Sequence, residues 1–80
     1  MTQVISVKPN NNYQLSIELS NGRSGVFDVS PYIEKGIFKE LKDSNYFSQV
    51  KILFGGVGWP HSQDFSGDTI DFELLENKSI

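Results

Sequence analysis

Cysteine is absent from the sequence, and with it any disulfide, thiolate nucleophile or zinc site built on sulfur. The fold must therefore hold together through its core or by association, which fits a reducing cytosol. No segment approaches the roughly 18 apolar residues of a membrane span. The start, Met1-Thr2-Gln3-Val4, lacks the basic stretch and apolar run of a secretory signal. The chain accordingly reads as cytoplasmic, with no membrane partner. Positive charge is also scarce, seven Lys+Arg against ten Asp+Glu for a net -3, and this argues against a nucleic-acid partner. With only 80 residues, the chain buries about 60% of its unfolded surface and has little room for a large catalytic cleft.

The charge that is present is unevenly placed. Residues 1–63 hold six basic and five acidic side chains, whereas Asp64, Asp68, Asp71, Glu73 and Glu76 face only Lys78 in residues 64–80, a net of -4. Such a segment reads either as a solvated helix face with its tail or as a docking surface for a basic partner.

No repeat, linker or low-complexity run divides the chain, so residues 1–80 are expected to form a single α+β domain. The expected architecture is a small antiparallel sheet of two hairpins with short helices between and after them. Val4 to Val7 is a short strand, ended by Lys8-Pro9 and the Asn10-Asn11-Asn12 turn cluster. Tyr13, Leu15, Ile17 and Leu19 then alternate with polar residues, the period of a strand with one buried face. A two-residue Asn21-Gly22 turn would put Asp28 opposite Leu15. A three-residue Ser20-Asn21-Gly22 loop with a left-handed Gly22 instead pairs Leu15 with Phe27 and Tyr13 with Val29, and sets Gly25 opposite Ile17.

Ser30-Pro31 opens a helical turn that Gly36 should end or kink, and Ile37, Phe38 and Leu41 mark a second short helical face. Asp43 or Ser44 caps a further turn that buries Tyr46 or Phe47. Val50, Ile52 and Phe54 return to strand spacing. A Gly55-Gly56 turn would pair Phe54 with Val57 and Ile52 with Trp59 on one apolar face. Ser66, with Asp68 in the first turn, caps an expected helix through Ile70 and Leu74 to about Glu76, although Ile70, Phe72 and Leu74 also alternate like a strand.

Catalytic constellations are missing. The lone His61 has Ser62 and Asp64 too near in sequence for a triad, whose members converge from separate elements. His61, Asp64 and Asp68 offer a nitrogen-and-oxygen set, but a helix start explains Asp68 and a turn before it explains Asp64, so no metal is expected. Gly55-Gly56-Val57-Gly58 lacks the spacing and following helix of a phosphate loop. Lys35, Lys39 and Lys42 would share a helix side were it not for Gly36 and the interleaved Glu34 and Glu40. Trp59 reads as core or as an interface anchor.

Asn21-Gly22-Arg23, Val26-Phe27-Asp28-Val29-Ser30-Pro31, Gly36-Ile37-Phe38 with Leu41-Lys42-Asp43 and Phe47, and Trp59-Pro60 with Asp64 and Asp68 together resemble a bacterial family, that of domain of unknown function 2442. The resemblance implies a small α+β fold, like the N-terminal domain of longer members that carry a helix-turn-helix module. It also implies a gene setting beside another small protein in toxin-antitoxin pairs. It carries over no catalytic residue. Two features depart from the family: His61-Ser62-Gln63 stands where Asn-Gly usually follows Trp-Pro, and no DNA-binding module follows.

The expectation is thus a noncatalytic protein-protein interaction module, antitoxin-like, with a small partner encoded nearby or a second copy of itself. It would bind through Trp59, His61, Asp64, Asp68 and Asp71, and it calls for no cofactor. The alternatives are a nucleic-acid-associated regulator component working through the three lysines, and a small-molecule or metal-binding domain near Trp59, His61, Asp64 and Asp68.

Overall fold

A computed structural model describes residues 2–76 of the chain. In order, the elements are β1 (Val4–Asn10), β2 (Gln14–Leu19), β3 (Ser24–Asp28), a 3-10 helix (Gly36–Lys42), α1 (Ser44–Phe47), β4 (Lys51–Leu53), β5 (Gly56–Gly58), β6 (Asp64–Phe65), α2 (Gly67–Glu73) and β7 (Leu75–Glu76). The fold is α+β, as expected. The two hairpins lie in separate antiparallel sheets, one ordered β1-β2-β3-β7 and the other β4-β5-β6.

The register expected for the β2–β3 hairpin is the one observed, with Leu15 across from Phe27 and Ile17 across from Gly25. The amide of Leu19 donates to the Arg23 carbonyl at 2.9 Å, which closes a three-residue loop, and Gly22 sits at φ +90° as the bulge requires. Tyr13 and Val29 meet through a 2.9 Å bond from the Val29 amide to the Tyr13 carbonyl. The inward row of Leu15, Ile17, Leu19, Phe27 and Val29 is buried throughout. Strand β1 runs three residues beyond the expected end at Val7. It lies at the sheet edge, where the missing N–H of Pro9 costs no ladder bond.

The second hairpin departs from the sequence reading. Ile52 pairs with Val57 and Leu53 with Gly56, so the two-residue turn is Phe54-Gly55 and not Gly55-Gly56. The reason is tertiary: a Cβ on Gly56 would overlap the Phe65 carbonyl, so β5 can approach β6 only with a glycine there. Ile52 and Phe54 are consequently exposed, while Val57 and Trp59 are buried.

Between the sheets the chain closes tight i to i+3 turns, Tyr32 amide to Val29 carbonyl at 2.9 Å and Lys35 amide to Tyr32 carbonyl at 3.0 Å. No helix forms at Ser30-Pro31. Gly36, at φ +50°, begins the 3-10 helix instead of ending a preceding one. Asp43 caps α1 by accepting from the Asn45 amide at 2.9 Å, and both Tyr46 and Phe47 are buried. Ser66 likewise caps α2 through the Thr69 amide at 3.1 Å. The helix ends at Glu73, short of the expected Glu76, because Leu74 turns extended and Leu75–Glu76 pair with Val26 and Gly25.

The core joins both sheets through aromatic rings. Phe65 lies 5.0 Å from Phe27, 5.0 Å from Tyr32 and 5.1 Å from Phe38 between ring centres, within the range where edge and offset ring contacts add to burial. Among the described residues, no helix is long and apolar enough to cross a membrane.

Candidate functional site

The loop between β5 and β6 follows the same rules as the one between β2 and β3. The Trp59 amide donates to the Gln63 carbonyl at 3.0 Å and the Ser62 amide to the Trp59 carbonyl at 3.3 Å, leaving Pro60-His61-Ser62 as a three-residue loop. Ser62 stands at φ +80°, in the left-handed position that glycine fills in the equivalent loop at Gly22. The departure from Asn-Gly noted in the sequence thus places a strained serine at the loop end and a histidine at its tip.

That histidine is tightly held. Its Nδ1 is 2.6 Å from Glu40 Oε2, its amide donates to the Tyr46 hydroxyl at 2.8 Å, and its ring stacks on Tyr46 with centres 5.1 Å apart. The carboxylate is positioned in turn. Gln63 Nε2 donates to Glu40 Oε1 at 3.0 Å and to the Ile37 carbonyl at 2.8 Å, and Gln63 Oε1 accepts from the Tyr46 hydroxyl at 2.6 Å. Gln63, only 1% exposed, is the buried polar residue at the centre of this network, and all its side-chain bonds are satisfied. The bond from Gln63, followed by that from His61, holds the Glu40 carboxyl below its ordinary range. Sequence reading missed Glu40 and Gln63 because Glu40 reaches His61 and Gln63 across 21 and 23 residues, with no local signal.

The five residues expected to form one binding surface divide between the β5–β6 hairpin, which carries Trp59, His61 and Asp64, and α2, which carries Asp68 and Asp71. Trp59 is buried, its ring tilted against that of Phe47 with centres 5.7 Å apart and its indole N–H donating to the Phe47 carbonyl at 2.8 Å, so it is core. Asp64 is exposed, in β6 and not in a turn. Asp68 accepts from the Thr2 amide at 3.2 Å. Asp71 pairs with Arg23 and accepts from Asn21 at 3.3 Å, which ties α2 to the β2–β3 loop. Partial burial pushes the Asp71 carboxyl up, but the bonds from Asn21 and Arg23 and the Arg23 charge outweigh it and hold the group low. Glu73 accepts from the Tyr32 hydroxyl at 2.6 Å and raises that phenol. Much of the acidic segment is therefore engaged within the fold. Lys42 pairs with Glu34, which draws it away from a three-lysine stripe. No group of three or more His, Asp or Glu residues able to hold a metal occurs among the described residues.

A second feature lies at the β4–β5 turn. Phe54 and Gly55 stand at φ +50° and +80°, the pattern of a type I′ turn, where asparagine or glycine is normal and a bulky ring is an outlier. The Phe54 ring is 98% exposed and borders a shallow cleft lined by Leu53, Asp64, Phe65 and Ser66. Phe72, on the outer face of α2, is 90% exposed.

No curated protein and no solved structure matches the chain. The family described as Protein of unknown function (DUF2442) matches residues 4–73, from the first strand to the last residue of α2. The chain belongs to that family.

Proposed function

We propose that this domain is a noncatalytic, cytoplasmic protein-protein interaction module, the antitoxin-like member of a two-gene pair, and that its partner is a small protein encoded beside it. One observation carries the reading: Phe54 is held fully exposed at a hairpin tip in a backbone conformation that disfavours it. A ring in that position neither fills the core nor eases the turn, and rigid aromatic anchors of this kind dominate binding energy at interfaces. Asp64 beside it supplies an acidic rim, suited to a partner with basic residues around an apolar pocket.

Coexpression with the product of the adjacent gene tests the reading. The two proteins are expected to copurify at low salt, and Phe54→Asn is expected to release the partner while the domain stays folded. Two unassociated species at low salt would overturn the proposal. A second copy of the chain bound through the same ring would appear as a Phe54-dependent dimer by light scattering, and would identify the partner as the chain itself.

A further inference from the structure

We infer that His61 is a phosphoryl-accepting nucleophile that reacts through Nε2 with an activated phosphoryl donor of the acyl-phosphate or phosphoramidate class. The inference is independent of the interaction reading and of Phe54.

The imidazole is prepared for this chemistry by its surroundings. In the neutral imidazole, the 2.6 Å contact between Nδ1 and Glu40 Oε2 selects the tautomer with its proton on Nδ1, and so leaves the lone pair on Nε2. The side chain is 64% exposed, and Nε2 has no hydrogen-bond partner among the described residues. Stacking on Tyr46 and the bond from the His61 amide to the Tyr46 hydroxyl fix the ring plane. Glu40 cannot turn away easily, because its other oxygen is held by Gln63, which is buried and anchored at the Ile37 carbonyl and the Tyr46 hydroxyl. A surface histidine that served only to pin the loop would not need its carboxylate partner fixed from within the core.

In the step itself, the Nε2 lone pair attacks phosphorus and an N–P bond forms. The bond from phosphorus to the donor's leaving group breaks, and its electron pair departs with a carboxylate or with ammonia. No oxidation state changes. The ring gains positive charge as the bond forms, and the Nδ1 proton, shared with Glu40, brings the carboxylate charge to bear on it. This is the role a carboxylate plays wherever it stabilises a developing imidazolium. Because Glu40 covers Nδ1, the product is the Nε2 isomer alone.

The test uses the full chain and phosphoramidate at neutral pH, with intact mass spectrometry for the rate and phosphorus NMR for the isomer. The comparators are a synthetic peptide of residues 57–65, His61→Ala and Glu40→Gln. The expected result is a single acid-labile phosphoryl group on His61 Nε2, acquired about tenfold faster than by the peptide. His61→Ala should acquire none, and Glu40→Gln should fall to the peptide rate while keeping its far-ultraviolet circular dichroism. A rate equal to the peptide's, a product on Nδ1, or an unchanged rate in folded Glu40→Gln would each overturn the inference. Should Glu40→Gln fail to fold, the comparison of wild type with peptide decides alone.

Discussion

The hydroxyl of Tyr46 donates to Oε1 of Gln63 at 2.6 Å in the interior and accepts from the His61 amide at 2.8 Å. One phenolic oxygen thus joins α1, the β5–β6 loop and the network that reaches Glu40. Tyr46→Phe keeps the ring and removes the oxygen, leaving a buried amide oxygen and a backbone N–H without a partner. A loss of about 1–3 kcal/mol is expected, seen as a lower urea midpoint at unchanged slope.

Phe54 and Ser62 both occupy left-handed backbone without being glycine, at φ +50° and +80°. Relieving either should stabilise the domain. Phe54→Asn and Ser62→Gly are each expected to raise stability by up to about 1 kcal/mol, since the strain removed outweighs the chain entropy that glycine adds. Thermal unfolding monitored by circular dichroism measures it; a lower melting temperature for both would show that the ring and the hydroxyl make contacts that support the fold.

Phe65 packs against Phe27, Tyr32 and Phe38 and is 7% exposed. Phe65→Ala is expected to cost about 3–5 kcal/mol through lost burial and the cavity left behind. In so small a domain that is a large share of the total. Loss of the near-ultraviolet aromatic signal at room temperature, or a midpoint shift of that size, is the expected readout.

Acid and alkali should destabilise the domain for opposite reasons. Glu40, bonded by Gln63 and His61, and Asp71, bonded by Asn21 and Arg23 against the upward push of burial, have folded values below their ordinary 4.5 and 3.8. Their contribution is present above those ordinary values and is lost as pH falls through the folded ones. Tyr32 is raised above 10.0, first by its bond to Glu73, then by burial and by the Glu73 charge, so its contribution is present below pH 10.0 and is lost as pH rises through the folded value. Stability measured against pH should fall at both ends, with Glu40→Gln flattening the acid limb. Glu73→Gln should return a late-titrating phenolate, followed by ultraviolet absorbance, toward its ordinary position.

What the sequence disclosed depended on whether the deciding contact was local. The Leu15–Phe27 register was readable because the strand has one apolar face and only a three-residue loop keeps Phe27 on it. The caps at Asp43 and Ser66 were readable for the same reason, since each acceptor lies within three residues of its donor. The second hairpin was misread because Gly55, Gly56 and Gly58 offer no side-chain pattern, and the choice among them is made by the Phe65 carbonyl. Trp59 was left open between core and anchor, and the Phe47 carbonyl that receives its indole proton lies on a different element. Glu40 lies between Phe38 and Leu41 on a short helical segment, His61 and Gln63 lie in the polar loop after Pro60, and only the fold brings the first to the other two.

The pairing of β7 with β3 has a consequence for how the protein is made. Leu75 and Glu76 lie against Val26 and Gly25, residues that leave the ribosome about fifty peptide bonds earlier. The four-stranded sheet therefore stays one strand short until residues 75 and 76 have emerged, with the outer edge of β3 bare. Its last strand can add only after α2 has emerged and folded back, so this sheet closes after its other three strands have formed, and the interval before it closes is the one most open to off-pathway strand pairing.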